Sequence, residues 1–420
     1  EKTGGRITPG LERTQELLEH LGDPQRAYRS FHVAGTNGKG STVAMLDHLL
    51  RSDERRVGRY TSPHLVDFRE RVLVNGDPIP PEAVLRLLER IEPVAERNGA
   101  TFFEITTALA FAYFAEQGVD LAVIETGLGG RLDSTNVLDP VAATVTNIAL
   151  DHTEYLGATL QEIADEKSGI FKFGRAAVIG EPRADLARRL VDRAAERGAT
   201  PISVVRADWR AWSIAVSGTG TSFTAETPRG RLRLTTPLLG EHQVRNTLTA
   251  LATLSAAGDE FWMARDAINR ALANVRLPGR FQRSGEWLFD VAHNPAGAQV
   301  LAATLGARPV ARPLTVVLGV LKDKDWYGIV EALAPVVDRF IMTVPPSAPA
   351  DRTWDPRPAA AHANTHKIPT TIDPDFNMAI ARARALPGTK LVTGSFHTVG
   401  DAMVRLGVDP LAATRTSPPV

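Results

Sequence analysis

Apolar residues along this chain follow two alternating periods. Short apolar runs bounded by glycine or charge predict buried strands at Phe31–Ala34, Leu121–Glu125 and Ala142–Ile148, with a shorter one at Gly58–Tyr60. Between them, apolar positions recur at helical spacing over Pro81–Arg97, Phe103–Gln117 and Leu160–Ile170. Such alternation predicts a parallel sheet covered by helices. Residues 202–236 differ. Trp209, Trp212, Ile214, Phe223 and Leu232 lie in turn-punctuated, alternating text that predicts a small antiparallel insert. Helical text returns over Gln243–Ala273, and Leu277, Pro278 and Gly279 then break it. From Trp287 the alternation restarts, with strands predicted at Leu288–Val291, Leu314–Leu318, Arg339–Val344 and Lys390–Val392. The expected division is a first α/β domain over 1–279 and a smaller α/β domain over 280–420, ending in a frayed Pro/Ser/Thr-rich tail from Asp409 to Val420. No internal repeat is visible.

The turn after the first strand carries the strongest chemical signal. Phe31 to Ala34 is followed by Gly35, Thr36, Asn37, Gly38, Lys39, Gly40 and Ser41, and then by helical spacing through Val43, Leu46, Leu49 and Leu50. Strand, glycine-rich turn and helix make a phosphate cradle: backbone N–H groups can point inward, and the helix start adds positive potential. Lys39 supplies a point charge for phosphate oxygens, and Ser41 a hydroxyl for magnesium. The usual pattern would need Gly at position 33 and Ser or Thr at position 40; this chain has Val33 and Gly40. A plain glycine turn is the alternative, and the Lys and Ser placement argues against it. The chain is expected to use a nucleoside triphosphate.

At 420 residues the chain exceeds one comfortable core. Its formal net charge of +0 gives no sign of a nucleic-acid or anionic-membrane surface. It has no cysteine, which excludes disulfides and thiolate chemistry and fits a reducing, cytoplasmic setting. No apolar run is long enough to span a bilayer, and no signal peptide is visible. Lysine is scarce: 8 Lys stand against 40 Arg. Five of them, Lys39, Lys167, Lys172, Lys322 and Lys324, fall in segments notable on other grounds, where arginine cannot replace a compact or deprotonatable amine.

Glu125 closes an apolar strand beside this loop, where a magnesium ligand is wanted, and Asp151 and His152 follow the next strand. Parallel strands share one carboxyl edge, so Ser41, Glu125 and His152 can converge. Lys167, flanked by Asp165 and Glu166, has a bland alternative as part of a charge cluster on a solvated helix face.

Twelve segments together resemble the folate branch of the Mur ligase superfamily, the folylpolyglutamate and dihydrofolate synthases. They are PGLER (Pro9–Arg13), HVAGTNGKGST (His32–Thr42), TSPHL (Thr61–Leu65) with RERVLVNG (Arg69–Gly76), FFE (Phe102–Glu104) and ETGLGGRLDSTN (Glu125–Asn136). Further on come DHTEYLG (Asp151–Gly157), EKSGIFK (Glu166–Lys172), GEHQVRN (Gly240–Asn246), PGRF (Pro278–Phe281), DVAHNP (Asp290–Pro295) and GSFHTVGD (Gly394–Asp401). The likeness covers nearly the whole chain. Gly40 separates this branch from cell-wall ligases, whose loop usually carries Thr there, and Val291 replaces the commoner Gly of DGAHNP.

The resemblance implies a P-loop ATPase domain followed by a Rossmann-like α/β domain. It implies an ATP-dependent ligase that joins L-glutamate to a dihydropteroate or folate carboxylate through an acyl phosphate. Its cofactors would be ATP, two Mg2+ ions and, as a further cation, K+. The metal ligands would be Ser41, Glu125, His152 and Lys167, the last as a carbamate. Asn246 and Arg280 would contact phosphates, and Asp290 and His293 the nucleoside. Lys39, Lys167, His152 and Arg280 would carry the catalytic roles. Substrate contacts would come from Thr61, Ser62, Pro63, His64, Phe103, Glu104, Arg131 and Asp133 in the first domain, and from Lys322, Asp323, Ser395 and His397 in the second. Arg131 and Asp133 could instead form a local salt bridge, and LKDKD (Leu321–Asp325) a solvated loop. A monomer is expected. The rivals are a polyglutamate synthase without dihydrofolate synthase activity, a cell-wall amino-acid ligase, and a nucleotide-switched binding protein.

Overall fold

The computed structural model describes residues 10–51, 55–308 and 310–411. Pro9 of the PGLER segment and positions 412–420 of the expected frayed tail lie outside the described residues. Eight strands form the first sheet: β1 (Arg29–Ala34), β2 (Val57–Tyr60), β3 (Val72–Val74), β4 (Asp77–Pro78), β5 (Leu121–Glu125), β6 (Ala142–Val145), β7 (Ala176–Ile179) and β8 (Ile202–Val204). Their order is β4-β3-β2-β5-β1-β6-β7-β8. All neighbours from β2 to β8 pair in parallel, and β3 and β4 add an antiparallel edge.

The central strands are apolar on both faces because helices cover both. One face of β1 and β5 packs on the helices Lys39–Arg51 and Glu241–Ala257. On the other, Ala122 and Ile124 pack with the helices Pro81–Asn98 and Phe102–Glu116, and Ala143 and Val145 with the helices Leu160–Ser168 and Ala184–Glu196. Phe102–Glu116 starts on a capping box in which Thr101 and Glu104 satisfy each other's backbone N–H.

The antiparallel insert comprises β9 (Arg210–Val216), β10 (Thr221–Thr227) and β11 (Gly230–Thr236). Phe223, Leu232 and Leu234 face inward onto Glu241–Ala257 and Arg265–Ala273, with polar residues alternating outward. Residues 202–204, expected within this insert, instead extend the main sheet as β8, pairing in parallel with β7. The predicted helical stretch Gln243–Ala273 is two helices, interrupted at Gly258, whose φ of 137° is closed to most other residues.

A third sheet runs from Gln282 onward, with β12 (Gln282–Ser284), β13 (Trp287–Phe289), β14 (Leu314–Leu318), β15 (Arg339–Met342), β16 (Thr370–Ile372) and β17 (Thr389–Thr393) in the order β12-β13-β17-β14-β15-β16. Only β12 is antiparallel to its neighbour. Helices Pro295–Ala307, Trp326–Leu333 and Pro356–Thr365 cover one face, and Phe376–Arg384 and Phe396–Leu406 the other. β12 and β16 escape the sequence reading because each is short and half-polar.

Candidate active site

β1 lies between β5 and β6, with Val33 opposite both Glu125 and Thr144. The carboxyl ends of these three strands are therefore adjacent, and the loops leaving them meet. The loop after β1 is held by the loop after β6. Thr36 N–H donates to the Asn147 carbonyl at 2.9 Å, Asn37 N–H to Asn147 Oδ1 at 2.7 Å, and Thr146 Oγ1 to the Asn37 carbonyl at 2.7 Å. β6 stops at Val145, three residues short of the predicted Ile148: the Thr146 N–H makes the last bond to β1, at the Ala34 carbonyl, and the Thr146 hydroxyl and Asn147 then hold the loop after β1. Gly35, with φ of 148°, passes so close to Thr146 that any Cβ would overlap its hydroxyl. Asn246, from Glu241–Ala257, abuts Gly38 and donates to Gln243 at 2.9 Å.

Two lysines converge on one carbonyl. Lys39 Nζ donates to the Gly35 and Thr36 carbonyls at 3.1 and 3.3 Å, and Lys167 Nζ reaches the same Gly35 carbonyl at 3.0 Å. Lys167 is buried, so the solvated-face alternative is wrong for it. Its neighbours take the solvent: Asp165 pairs with Arg189 and Arg193, and Glu166 with Arg131. Burial, reinforced by the Lys39 ammonium, pushes the Lys167 amine down to about 7. Glu125 is buried beside the loop, its Oε2 accepting the Ser62 N–H at 3.4 Å. Burial raises its carboxyl pKa, against the opposing pull of Lys39, Arg280 and Arg59. Ser41 is buried in the first turn of Lys39–Arg51.

Asp151 forms the hub facing the third sheet. It accepts Lys324 Nζ at 2.6 Å and Asn294 Nδ2 at 3.0 Å, with His293 Nε2 at 3.4 Å. Burial acts to raise its pKa, but His293, His152 and Lys324 outweigh that and hold the carboxyl well below the usual range. His152 sits in a left-handed conformation beside Lys324, at 3.3 Å. Burial lowers its imidazole to about 4 despite Asp151, so it is neutral at ordinary pH. Asn294 also reaches Asn37 Oδ1 at 3.2 Å and caps the helix Pro295–Ala307.

Arg280 is partly buried, with Asp290 and Glu125 as its nearest balancing charges and the Phe396 ring 5.7 Å away. Asp290 accepts the Phe281 and Ala292 N–H groups at 2.9 and 3.0 Å, and burial raises its carboxyl. A cavity of about 70 Å3 lies between Gly40, Arg59, Ser62, Glu125, Arg280 and Phe396. Thr61, Ser62 and Pro63 border it, and the loop beyond is shaped by Glu70, which accepts the N–H groups of Leu65, Val66 and Asp67 at 2.9, 2.7 and 2.7 Å. His64 accepts Arg71 Nε at 2.8 Å, and burial plus Arg71 lowers its imidazole to about 4. The helix Phe396–Leu406 meets this loop at Gly400, where any Cβ would strike the Leu65 carbonyl.

The remaining expected residues divide. Phe103 packs its ring against Gly127, and Tyr60 lies 6.2 Å from it. Glu104 is committed to Arg13, at 2.7 Å, and to its own helix start, so its carboxylate faces structure rather than an open site. Arg131 and Asp133 form no salt bridge with each other. Arg131 pairs with Glu166 at 2.7 Å, while Asp133 is buried and accepts the Leu128 and Thr135 N–H groups. Lys322 is exposed; Asp323 pairs with Arg352 at 2.8 Å. Ser395 caps its helix through the Thr398 N–H, and His397 meets Ser347 Oγ at 2.9 Å. Sequence reasoning assigned no role to Lys324, Asn294 or Arg59. The lysine bias flagged Lys324, Asn294 before Pro295 has a helix-cap signature, and Arg59 is a charge inside the apolar strand β2.

The Mur ligase middle-domain family matches residues 33–254, and the Mur ligase glutamate ligase domain family residues 279–396. The Escherichia coli (strain K12) dihydrofolate synthase/folylpolyglutamate synthase is 38% identical over 94% of this chain and 91% of its own length. The Mycobacterium tuberculosis protein of the same name is 39% identical over 80% and 74%. Among solved structures, M. tuberculosis folylpolyglutamate synthase complexed with ADP and AMPPCP superposes with a TM-score of 0.88 at 36% identity, covering 96% of both chains. E. coli FolC in complex with DHPP and ADP gives 0.86 at 35%, covering 96% and 94%. The bifunctional Yersinia pestis enzyme complexed with AMPPNP and Mn ion gives 0.83 at 32%, covering 96% and 95%. The chain belongs to the Mur ligase family, in its folylpolyglutamate synthase/dihydrofolate synthase branch.

Proposed function

We propose that this chain is an ATP-dependent ligase that joins the amine of L-glutamate to the carboxylate of dihydropteroate and of reduced folates, through an acyl phosphate. The observation that carries the reading is the convergence of Lys39 and Lys167 on the Gly35 carbonyl beside buried Glu125. Two amines held together next to a glycine loop make a site for polyphosphate. Joining a carboxylate to an amine in water is uphill, and phosphorylation gives the carboxylate a leaving group. Lys39 and Arg280 neutralise the charge of the transferring phosphoryl group. Asn246, against Gly38, touches phosphate, and Asp290 and His293 hold the nucleoside.

The donor set suits a hard divalent cation. Glu125 is a buried carboxylate with a single long hydrogen bond, Ser41 offers a hydroxyl, and His152 is neutral. These three and Lys167 would hold magnesium, which supplies further neutralisation of phosphate charge. Lys167 takes part as a carbamate: its neutral amine attacks carbon dioxide and loses one proton, turning a cation into an anionic ligand. Its burial and lowered pKa support that form.

In this reading the chain divides at 279/280, and the second unit closes on the first through Asp151, Asn294 and Lys324, excluding water from the acyl phosphate. Phe103 and Asp133 line the pterin side with Thr61–His64, and Ser395 and His397 face the incoming glutamate. With Asp323 held by Arg352 and Lys322 in solvent, the charge from this loop comes from Lys324. The chain is proposed to act as a monomer. No helix among the described residues is long and apolar enough to cross a membrane, and the substrates and the lack of cysteine suit the cytoplasm.

Release of ADP is measured with L-glutamate and either dihydropteroate or tetrahydrofolate. Turnover with both supports the bifunctional enzyme. Turnover with tetrahydrofolate alone leaves a polyglutamate synthase. ATP hydrolysis that is indifferent to glutamate, or that needs a UDP-muramoyl acceptor, overturns the reading.

A further inference from the structure

Away from the phosphate loop, on a face of the third sheet's unit, three metal-ligating side chains meet. His362 lies in the last turn of Pro356–Thr365, and His366 is the residue capping that helix. Four residues apart, they occupy one helix face. Glu331, on the neighbouring helix Trp326–Leu333, points between them: its Oε1 lies 2.7 Å from His362 Nε2 and 2.8 Å from His366 Nε2. The three ligand atoms all lie within 4.8 Å of one another.

We propose that Glu331, His362 and His366 form a binding site for one divalent transition-metal ion of the zinc class. Two imidazoles and one carboxylate select such an ion over magnesium or calcium, which prefer all-oxygen shells. Paired histidines one turn apart on a helix are a recurrent zinc platform. With bonds of about 2.0–2.1 Å, neighbouring ligands of a tetrahedral ion stand about 3.3–3.5 Å apart. Moving these side chains outward by about half an ångström therefore opens the site, and partial exposure leaves room for water as the fourth ligand. The rings are already oriented. Tyr327 stacks on His362 at 4.3 Å, and the two imidazoles stand at 87° to each other with centroids 5.1 Å apart. The ion would tie Trp326–Leu333 to Pro356–Thr365, and the first of these helices begins two residues after Lys324.

The test uses the full chain, free of any affinity tag and stripped with a chelator, dialysed against micromolar Zn2+ with millimolar Mg2+ present. His366→Ala is the chosen variant because the residue is exposed at a helix end, and Glu331→Gln is the second. Wild type is expected to bind one more equivalent of zinc than either variant, with affinity at least about 30-fold above theirs. Co2+ is expected to give a tetrahedral visible spectrum that His366→Ala loses, and Zn2+ to raise the unfolding temperature of wild type only. Equal stoichiometry and affinity in wild type and His366→Ala, or uptake only at millimolar zinc, overturns the proposal.

Discussion

Lys324 Nζ donates to Asp151 Oδ1 at 2.6 Å, with both side chains more than nine-tenths buried, one following β14 and the other following β6. Because Asp151 also holds Asn294, and Asn294 holds Asn37, the contact ties the nucleotide loop to the third sheet's unit. A buried pair of this kind contributes less through net attraction than through the cost of leaving one partner alone.

That asymmetry gives a double-mutant cycle. Lys324→Met and Asp151→Asn should each lower kcat/KM for glutamate addition by about 100-fold, a loss of about 3 kcal/mol. The double variant should lose far less than the sum, with a coupling energy of about 2 kcal/mol. Additive losses would mean that the two residues act independently.

Lys167→Ala should keep its unfolding temperature and ATP affinity but lose about 100- to 1000-fold in ligation, the range for removing one stabiliser of transition-state charge. Acetate or propionate, entering the vacated space, should restore part of the rate. Normal turnover in the variant would exclude a carbamate role.

Two glycines of the turn after β1 should respond to substitution very unequally. At Gly35 a Cβ would stand 1.9 Å from Thr146 Oγ1 with φ at 148°, so Gly35→Ala should cost about 3 kcal/mol in urea unfolding. At Gly40 the nearest atom is Glu125 Oε2 at 3.7 Å, and the position is helical, so Gly40→Ala should lie within about 1 kcal/mol of wild type. Equal effects at both positions would contradict the loop geometry.

His32 carries a pH dependence. Its Nε2 meets Thr135 Oγ1 at 2.7 Å, while Nδ1 is buried without a partner, and burial with the nearby Lys172 charge lowers its pKa to about 3. The unfolded chain takes up this proton first, at its ordinary value of about 6.5. Its contribution to stability is therefore complete above pH 6.5 and is lost as pH falls toward 3. Between pH 7.5 and 5 wild type should lose about 2 kcal/mol more than His32→Gln, read from urea midpoints. Parallel pH profiles would show that His32 is protonated in the fold.

The sequence made some of this legible and hid the rest for physical reasons. β1, the glycine loop and β5 stand out because a strand buried on both faces must be apolar and a phosphate loop needs glycine. The end of β6 was hidden because Thr146 and Asn147 look like strand continuation until their partners in the loop are known. For Lys167, spacing beside Asp165 and Glu166 leaves a solvated helix face open as an alternative; successive helix residues point about 100° apart, and only the fold shows which one turns inward. Lys322 and Lys324 differ by two positions in one loop, and the choice between them depends on Asp151, 173 residues away.

The most direct measurement follows oxygen. Dihydropteroate labelled with 18O in its carboxylate is converted with ATP and L-glutamate, and the inorganic phosphate is analysed by mass. An acyl phosphate requires one carboxylate oxygen to leave with each phosphate, so the account predicts one 18O per phosphate, in step with amide formed. Amide formed with unlabelled phosphate, or phosphate released without amide, would contradict it.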